Sequence, residues 1–230
     1  MLTLNPGCLF GSVCVLCGLP ANGARICSLC VKVLPWNDRF CDCCGQPVTL
    51  AQAAGINCAA CQQRLPNFSR ARAPFHYAFP VDTALKKMKF RRQLSLAPAF
   101  AEFLLPFLRT DFQKCDALIP VPLHRWRHVA RGFNQAHELC RPLGRATKLP
   151  IIQPATRIKA TSPQSGLSAK ERSKNLKNAF VVQEKIRYRH PLIIDDVITT
   201  GATCDQLARA LLDAGASKVS VLTAARSSQF

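Results

Sequence analysis

The chain has 230 residues, of which 48% are hydrophobic and 19% are charged, so a packed core is expected and wholesale disorder is excluded. Lysine and arginine outnumber aspartate and glutamate by 31 to 13, and the net charge of +18 favours polyanions as partners. The sequence holds no run of about 18 uncharged apolar residues, so no membrane-spanning helix is expected. Because the N-terminus also lacks the basic region of a signal peptide, we expect a cytoplasmic protein with reduced thiols.

Cysteine pairs dominate the first quarter of the chain. Ten of the thirteen cysteines precede residue 62, and eight of them form four C-x-x-C pairs of identical spacing. Both thiolates of such a pair can face one tetrahedral ion, so four pairs predict two structural zinc ions with four cysteines each. A disulfide framework or a thiol redox centre is disfavoured, because neither an export signal nor a βαβ pattern accompanies the pairs. The predicted ligands are Cys14 and Cys17, Cys27 and Cys30, Cys41 and Cys44, and Cys58 and Cys61.

The order of the pairs suggests how they share the ions. Simple succession joins the first two pairs and the last two, although an interleaved pairing also fits the spacing. About 50 residues with few large apolar side chains bury too little surface to fold alone, so metal binding is expected to supply folding free energy. We predict a double zinc ribbon over residues 8–66 and a second domain over residues 67–230. Gly18 and Gly45 directly follow two pairs and suit turns with positive φ.

The second domain alternates strands and helices. Strand, helix and strand at these lengths predict parallel crossovers, and therefore an α/β fold with an open, parallel, doubly wound sheet. Such sheets bind ligands at the carboxyl ends of their strands. In chain order we predict a linker over 62–72, a strand over 73–79, helices over 82–90 and 94–109 (the second interrupted by Pro98 and Pro106), a strand over 117–121, a helix over 134–147, a strand over 192–196, a helix over 202–214 and a strand over 218–224.

One predicted strand leads into a turn that is rich in hydroxyl groups. Its buried run ends in Asp195 and Asp196, and V-I-T-T-G-A-T follows where the next helix begins. Free backbone N–H groups and hydroxyls at a helix start suit a phosphate monoester, and adjacent carboxylates accept hydrogen bonds from a sugar diol. The pattern therefore predicts a site for a ribose 5-phosphate. Its predicted phosphate ligands are Thr199, Thr200, Gly201, Ala202 and Thr203.

A second loop, after the strand over 117–121, is strongly basic. It carries three arginines and two histidines, and Arg131 and Gly132 precede Asn134, which is placed to open a helix. Guanidinium groups suit pyrophosphate, because two adjacent phosphates concentrate negative charge. We predict that Arg131 and Gly132 bind the pyrophosphate side of the ligand. The polar stretch from Arg157 to Phe180 is either a mobile lid over the substrate or a disordered basic insertion.

The hydroxyl-rich run resembles a known motif. Apolar residues, two acids, two apolar residues and T-T-G-x-T form the 5-phosphoribosyl-1-pyrophosphate (PRPP) motif of type I phosphoribosyltransferases. The resemblance implies that Asp195 and Asp196 meet the ribose hydroxyls while residues 199–203 hold the 5-phosphate. In a catalytic domain, Asp195 or Asp196 would act as general acid or base, and Mg²⁺ bound with PRPP would neutralise the leaving pyrophosphate.

The order of the motifs also resembles one family. Four C-x-x-C pairs, then P-V-P-L with R-G-F-N-Q, then I-I-D-D-V-I-T-T-G-A-T are similar to the ComF/GntX family of competence protein F-like proteins. The family implies a DNA-uptake accessory protein that handles incoming single-stranded DNA in the cytoplasm, at the inner face of the membrane, beside channel and helicase-like partners. Two other interpretations stay open: a true PRPP-dependent phosphoribosyltransferase of nucleotide salvage, and a zinc-ribbon nucleic-acid-binding module on a vestigial phosphoribosyltransferase scaffold.

Overall fold

The structure is a computed structural model, and it describes residues 12–48, 57–124, 129, 131–158 and 179–228. Cys8, residues 125–128 of the basic loop and residues 159–178 of the candidate lid lie outside the described residues. In chain order the elements are α1 (Ser28–Lys32), α2 (Ala59–Gln63), β1 (Arg70–Arg72), β2 (Phe75–His76), α3 (Val81–Phe90), α4 (Leu96–Arg109), β3 (Ala117–Pro120), α5 (Gln135–Thr147), β4 (Ala155–Arg157), β5 (Phe180–Val182), β6 (Pro191–Ile198), α6 (Ala202–Asp213) and β7 (Ser220–Arg226).

A parallel sheet forms the centre of the fold. Its order is β1-β7-β6-β3, β2 also lies beside β7, and all these pairings are parallel. Leu192, Ile193 and Ile194 of β6 are fully buried, as expected for a strand that is covered on both faces. Leu192 and Ile194 join the core with α3, α4 and α5, whereas Ile193 joins the core with α6. Helices therefore cover both faces, and the predicted doubly wound α/β class is confirmed.

The parallel strands bring the predicted ligand loops to one edge of the sheet. β3 ends at Pro120, opposite Ile194 of β6, and β6 and β7 run together to Ile198 and Arg226. Because their carboxyl ends point the same way, the loops after β3 and β6 leave the sheet on the same side. Asn134 accepts a hydrogen bond from the N–H of Ala136 and caps α5, as predicted.

Some local predictions were wrong. The region predicted as a linker contains the end of α2 and the strand β1, whose charged residues at alternate positions hid it. The strand predicted over 73–79 is limited to Phe75–His76. α4 is continuous rather than interrupted, because Pro98 stands in the first turn, where backbone N–H groups have no helical partner, and Pro106 is accommodated within the helix. The antiparallel pair β4–β5 was not predicted.

The two cysteine-rich segments share one local layout. We call residues 12–34 the first ribbon, and residues 37–48 with 57–63 the second ribbon. In each, the first C-x-x-C pair lies in a tight turn closed by an antiparallel bridge, Val13 to Pro20 or Phe40 to Pro47. The second pair lies at the start of a short helix, with Cys27 or Cys58 as N-cap. The ribbons are therefore local repeats of one fold.

The ribbons differ in what they pack against. The first ribbon forms a small apolar cluster with Ala99 and Phe103 of α4, and its last residue, Leu34, is buried in the core with α3, α4 and α5. The second ribbon joins the main core with β1, β6 and α6, where Cys43 is buried and its carbonyl accepts the N–H of Ala71 at 2.7 Å. The second ribbon is thus part of the α/β core. Among the helices of the described residues, none combines the length and the apolar character that crossing a membrane requires.

Candidate functional site

The eight predicted zinc ligands form two clusters, joined by succession. The sulfur atoms in each cluster lie within 4.8 Å of one another, with 3.8 Å between Cys17 and Cys27 and 3.7 Å between Cys44 and Cys58. Four thiolates bound at zinc–sulfur distance in a tetrahedron would be about 3.8 Å apart. Both clusters therefore fit a structural zinc ion, and the interleaved alternative is wrong. Cluster one is Cys14, Cys17, Cys27 and Cys30, and cluster two is Cys41, Cys44, Cys58 and Cys61.

In each cluster the surroundings favour the thiolate, the form that binds zinc, at one cysteine, whereas burial raises the pKa of Cys30 and Cys61 and a hydrogen bond with Cys41 raises the pKa of Cys44. Burial opposes the charge of Cys14, but backbone N–H groups, including those of Cys17 and Cys27, lower its pKa to about 6. A hydrogen bond from Cys44, aided by backbone N–H groups, lowers the pKa of Cys41 to about 4. Because zinc ligands must be deprotonated, each cluster offers at least one ligand in the required form.

The hydroxyl-rich loop turns the chain from β6 into α6. Gly201 stands at the N-cap of α6 with φ +79°, a conformation that side chains rarely adopt. The turn places the first N–H groups of α6 beside Thr200, whose Oγ1 lies 3.4 Å from the N–H nitrogen of Ala202. Thr199 is exposed, and Thr200 and Thr203 are half-buried, so their hydroxyls are within reach of a ligand. A helix start of this kind suits a phosphate group.

Asp195 and Asp196 lie on β6, just before this loop. Oδ1 of Asp195 accepts the N–H of Asp196 at 2.9 Å, and Oδ1 of Asp196 accepts the N–H of Val197 at 3.0 Å. Burial, and then the negative charge of Asp196, raise the pKa of Asp195 to about 8. The acid pair therefore holds a proton near neutral pH, a property that is common in binding and catalytic sites.

Lys89 of α3 reaches the acid pair, and the sequence did not identify it. Its Nζ lies 2.7 Å from Oδ2 of Asp196, whose side chain is 9% exposed. Oδ2 has no well-directed hydrogen bond, so the contact is an ion pair. Burial opposes the charge on Lys89, but Asp196 and Asp195 outweigh it, and the pKa of Lys89 lies above its ordinary value. A sugar diol therefore has to share Asp196 with Lys89.

Arg131 and Gly132, the predicted pyrophosphate ligands, lie near the end of α3 as well. The guanidinium of Arg131 lies 5.5 Å from the ring centre of Phe90, the last residue of α3. The charge of Arg131 also acts on Lys89. A Cβ on Gly132 would lie 3.0 Å from a guanidinium nitrogen of Arg92, so this glycine permits a close approach. Arg131 and Gly132 thus pack against the end of α3 and add positive charge beside the acid pair.

Arg226, the last residue of β7, connects the phosphate loop with cluster two. It is 4% exposed, and its Nη1 donates a hydrogen bond to the carbonyl of Thr199 at 2.7 Å. Burial lowers the pKa of Arg226, although Cys44 and Cys58 act in the opposite sense. Zinc with four thiolates carries a net charge of about −2. The guanidinium can therefore balance cluster two while it supports the loop.

Comparison with known proteins identifies the family. Residues 7–63 match the model of the double zinc ribbon domain. DNA utilization protein YhgH of Shigella flexneri is 37% identical over 217 residues, which cover 91% of this chain and 94% of that protein. Competence protein F of Haemophilus influenzae is 32% identical, with 87% and 90% covered, and competence protein ComFC of Bacillus subtilis is 29% identical, with 88% and 85% covered. The chain belongs to this family of DNA utilization and competence proteins.

A solved structure shows a weaker likeness. It is the glutamic acid mutant of an invariant aspartic acid in HPRTs, and it is 14% identical, with a TM-score of 0.31 over 60% of this chain and 66% of that one. A score this low carries no argument. The α/β class of this family member rests on its own strands and helices, and its double zinc ribbon rests on the family match and on the two clusters.

The structure gathers the predicted ligand residues of this competence-family chain at one edge of the sheet. Asp195, Asp196 and residues 199–203 are continuous there, and Arg131 and Gly132 join them through Lys89 and the end of α3. Their ligand roles stay predictions, as does the domain boundary after residue 66. One sequence signal pointed to Lys89, the basic end of the predicted helix over 82–90. No such signal pointed to Arg226, whose role depends on a contact with a loop 27 residues away.

Proposed function

We propose that this chain is a DNA-utilisation accessory protein that binds PRPP or a related phosphoribosyl ligand with Mg²⁺ and handles incoming single-stranded DNA. The names of its relatives and its net charge of +18 support the role with DNA. One observation carries the ligand class: the acid pair of β6 runs directly into the loop 199–203 and contacts Lys89, whose charge Arg131 in turn influences. A phosphate, a diol and a pyrophosphate match these three sets of groups.

Each group has a distinct part in this proposal. The loop N–H groups and threonine hydroxyls bind the 5-phosphate, and Arg226 holds the loop through the carbonyl of Thr199. Asp195, which keeps its proton near neutral pH, donates one hydrogen bond to the sugar, and anionic Asp196 accepts another. Lys89 and Arg131 face the pyrophosphate, whose charge bound Mg²⁺ would neutralise.

The proposed setting follows the family. The protein would work in the cytoplasm, at the inner face of the membrane, on strands delivered by an uptake channel and beside helicase-like proteins. Phosphoribosyl binding would then link DNA handling to a nucleotide precursor. This part of the proposal is tested by co-purification of the tagged full-length chain from transforming cells, in which channel and helicase-like proteins should be enriched over a mock purification.

Calorimetry tests the ligand class directly. PRPP with Mg²⁺ and ribose 5-phosphate should both bind the zinc-loaded chain. Asp196→Asn should weaken both ligands, because both carry the diol. Arg131→Ala should weaken PRPP about tenfold more than ribose 5-phosphate, the loss expected for one charged hydrogen bond, because ribose 5-phosphate has no pyrophosphate.

Matched variants control for charge. Asp213→Asn on α6 and Arg145→Ala on α5 remove the same charges from exposed positions, and both should bind like the unaltered chain. Absence of heat with PRPP, or binding that ignores Asp196→Asn, would refute the ligand assignment. Equal weakening of both ligands by Arg131→Ala would move this arginine away from the pyrophosphate.

Salt dependence tests the contact with DNA. A labelled single-stranded oligonucleotide should bind with an affinity that falls steeply as salt rises, because phosphate neutralisation releases counterions. Fluorescence anisotropy between 50 and 200 mM salt (roughly the range over which such binding weakens) measures the slope. Affinity that does not change over this range would contradict an electrostatic DNA surface.

A further inference from the structure

A cavity adjoins the phosphate loop on the side of the second ribbon. It has a volume of about 220 Å³ and lies between cluster two and the start of α6. We call it the ribbon cleft. Its walls include Gln46, Leu65, Phe68, Gly201, Gln206 and Arg226.

Two side chains that line the ribbon cleft carry polar atoms that lack partners. Gln46 is 8% exposed, and its Oε1 has no hydrogen-bond donor among the described residues. Arg226 is 4% exposed, and its Nε–H has no acceptor there. Unpartnered buried polar atoms cost free energy. A ligand edge that presents both a donor and an acceptor would supply the partners that these two side chains lack.

The other walls indicate the shape of this ligand. Phe68 and Leu65 give the cleft apolar sides, and the ring of Phe68 comes within 3.9 Å of a Cβ built on Gly201. An apolar cavity of about 150 Å³ accepts benzene, so the ribbon cleft is large enough for a flat heterocycle. A nucleobase combines a flat apolar face with donors and acceptors on its edge.

The position of the cleft connects it with the phosphate site. Thr200, Gly201 and Ala202 line it, and they belong to the loop that is proposed to bind the 5-phosphate. An occupant of the cleft therefore lies next to that phosphate, on the side of the second ribbon. A nucleoside esterified to the same phosphate would reach it without a linker.

We propose that the ribbon cleft binds the nucleoside on the 5′ side of the phosphate held by residues 199–203. This inference rests on the proposed function, because it uses the same phosphate. The bound unit is then a nucleoside–phosphate–sugar step of a single strand, with the base against Phe68 and Leu65 and its edge toward Gln46 and Arg226. The second ribbon contributes a wall of this site, and a strand passes from the sugar site toward cluster two.

Two ligands that differ by one nucleoside test this proposal. Uridine 5′-monophosphate carries the phosphate and the diol, and uridylyl-3′,5′-uridine adds a second nucleoside to that phosphate. Leu65→Ser should weaken uridylyl-uridine roughly tenfold, the scale of one base contact, and leave uridine 5′-monophosphate within about twofold. Leu29→Ser is the matched control, because Leu29 lies on the first ribbon and is 66% exposed against 64% for Leu65.

A second variant keeps the test independent of folding. Gln46→Leu removes the unpartnered oxygen, so it should leave stability unchanged or raised while it weakens uridylyl-uridine. Thymidylyl-3′,5′-thymidine, measured in parallel, distinguishes the source of the strand. If Leu65→Ser weakens binding of the thymidine dinucleotide, the result supports a DNA strand. If the unaltered chain binds uridylyl-uridine tightly but does not bind the thymidine dinucleotide at all, DNA is overturned as the source.

The outcomes separate the two proposals. If neither uridine ligand binds the unaltered chain, the phosphoribosyl site itself is refuted. If uridine 5′-monophosphate binds, but uridylyl-uridine is insensitive to both Leu65→Ser and Gln46→Leu, the phosphate site stands and the cleft proposal is overturned. Equal effects of Leu65→Ser and Leu29→Ser also overturn it.

Discussion

The two ribbons share a metal-binding layout but differ in their attachment to the sheet. The first ribbon touches α4 through a small apolar cluster and an exposed ion pair, Arg25 with Glu102 at 2.9 Å, and its last residue, Leu34, is buried in the core with α3, α4 and α5. The second is held by Arg72, which is 4% exposed and contacts Asp42 in the ribbon and Asp111 after α4. The first ribbon is therefore attached by apolar contacts on the α4 side of the sheet, whereas the second is built into the core beside the phosphate loop.

This difference teaches that a metal-binding repeat can have two roles in one chain. Cluster two lies near Arg226, which holds the phosphate loop through Thr199, and it borders the ribbon cleft. Cluster one has no such connection among the described residues. Loss of metal at the two clusters should therefore have different consequences for the sheet and for ligand binding.

Removing one ligand from each cluster should have the largest effect. Metal analysis should give about two zinc ions per chain, and about one in both Cys17→Ser and Cys44→Ser. Cys44→Ser should lower the melting temperature of the sheet by about 10 °C and weaken phosphoribosyl binding, because its cluster belongs to the core. Cys17→Ser should unfold the first ribbon and spare the sheet, as read from hydrogen exchange in β6 and β7. Equal loss in both variants would show that both ribbons fold with the sheet.

Alanine substitutions of the arginines that attach the ribbons should have smaller effects, and the two variants should differ in the unfolding free energy that they lose. Arg72→Ala removes the partner of two aspartates from a buried position and should cost roughly 3 kcal/mol of unfolding free energy. Arg25→Ala breaks an exposed pair and should cost at most about 1 kcal/mol. Urea unfolding measures both values. A cost for Arg25→Ala as large as that for Arg72→Ala would remove the distinction between the ribbons.

Asp195, which lies on β6 and in neither ribbon, should make the stability of the sheet depend on pH. Its pKa is raised from 3.8 to about 8, chiefly by burial. The unfolded chain loses this proton near pH 4 while the folded chain keeps it to about pH 8, so the carboxyl costs stability increasingly as pH rises through this window. Asp195→Asn should therefore gain stability on the order of 5 kcal/mol at pH 8 relative to pH 4, as urea unfolding at the two pH values measures. A gain that does not vary with pH would contradict the raised pKa.

Alanine substitutions at two glycines in equivalent turns should show the smallest difference in stability. Gly18 and Gly45 have φ values of +77° and +66°, so alanine is strained at both by about 1 kcal/mol. At Gly45 the added Cβ would also lie 2.9 Å from the carbonyl oxygen of Ala71, whereas at Gly18 it meets nothing within 4 Å. Gly45→Ala should therefore cost about 1 kcal/mol more than Gly18→Ala in thermal unfolding. Equal costs would mean that the backbone around Gly45 adjusts to the added Cβ as easily as the backbone around Gly18 does.

Local signals made much of this architecture predictable. The C-x-x-C spacing identified all eight residues of the two clusters. A continuous apolar run identified β6, and apolar residues at helical spacing identified α6. β1 was missed because its arginines follow no apolar alternation, and its place in the sheet depends on pairing with β7, about 150 residues later in the chain. Short strands at sheet edges are decided by such tertiary partners rather than by their own sequence.

The candidate site was predictable where its residues are contiguous. Asp195, Asp196 and the loop 199–203 follow one another in a single motif, so their association needed no knowledge of the fold. Lys89 and Arg226 come from α3 and from the end of β7, and only packing brings them to the motif. The same reason explains why the ribbon cleft had no sequence signal, since its walls come from four separate segments.

The bond between the carbonyl of Cys43 and the N–H of Ala71 has a practical consequence for dissecting the protein. A shortened chain starting at residue 67 would leave that N–H and the guanidinium of Arg72 facing solvent, and would uncover apolar surface on β1 and α6. Such a fragment would tend to aggregate. A cut before Pro35 would preserve these contacts and also the bond from the N–H of His76 to the carbonyl of Pro35, so any shortened chain has to keep the second ribbon together with the sheet.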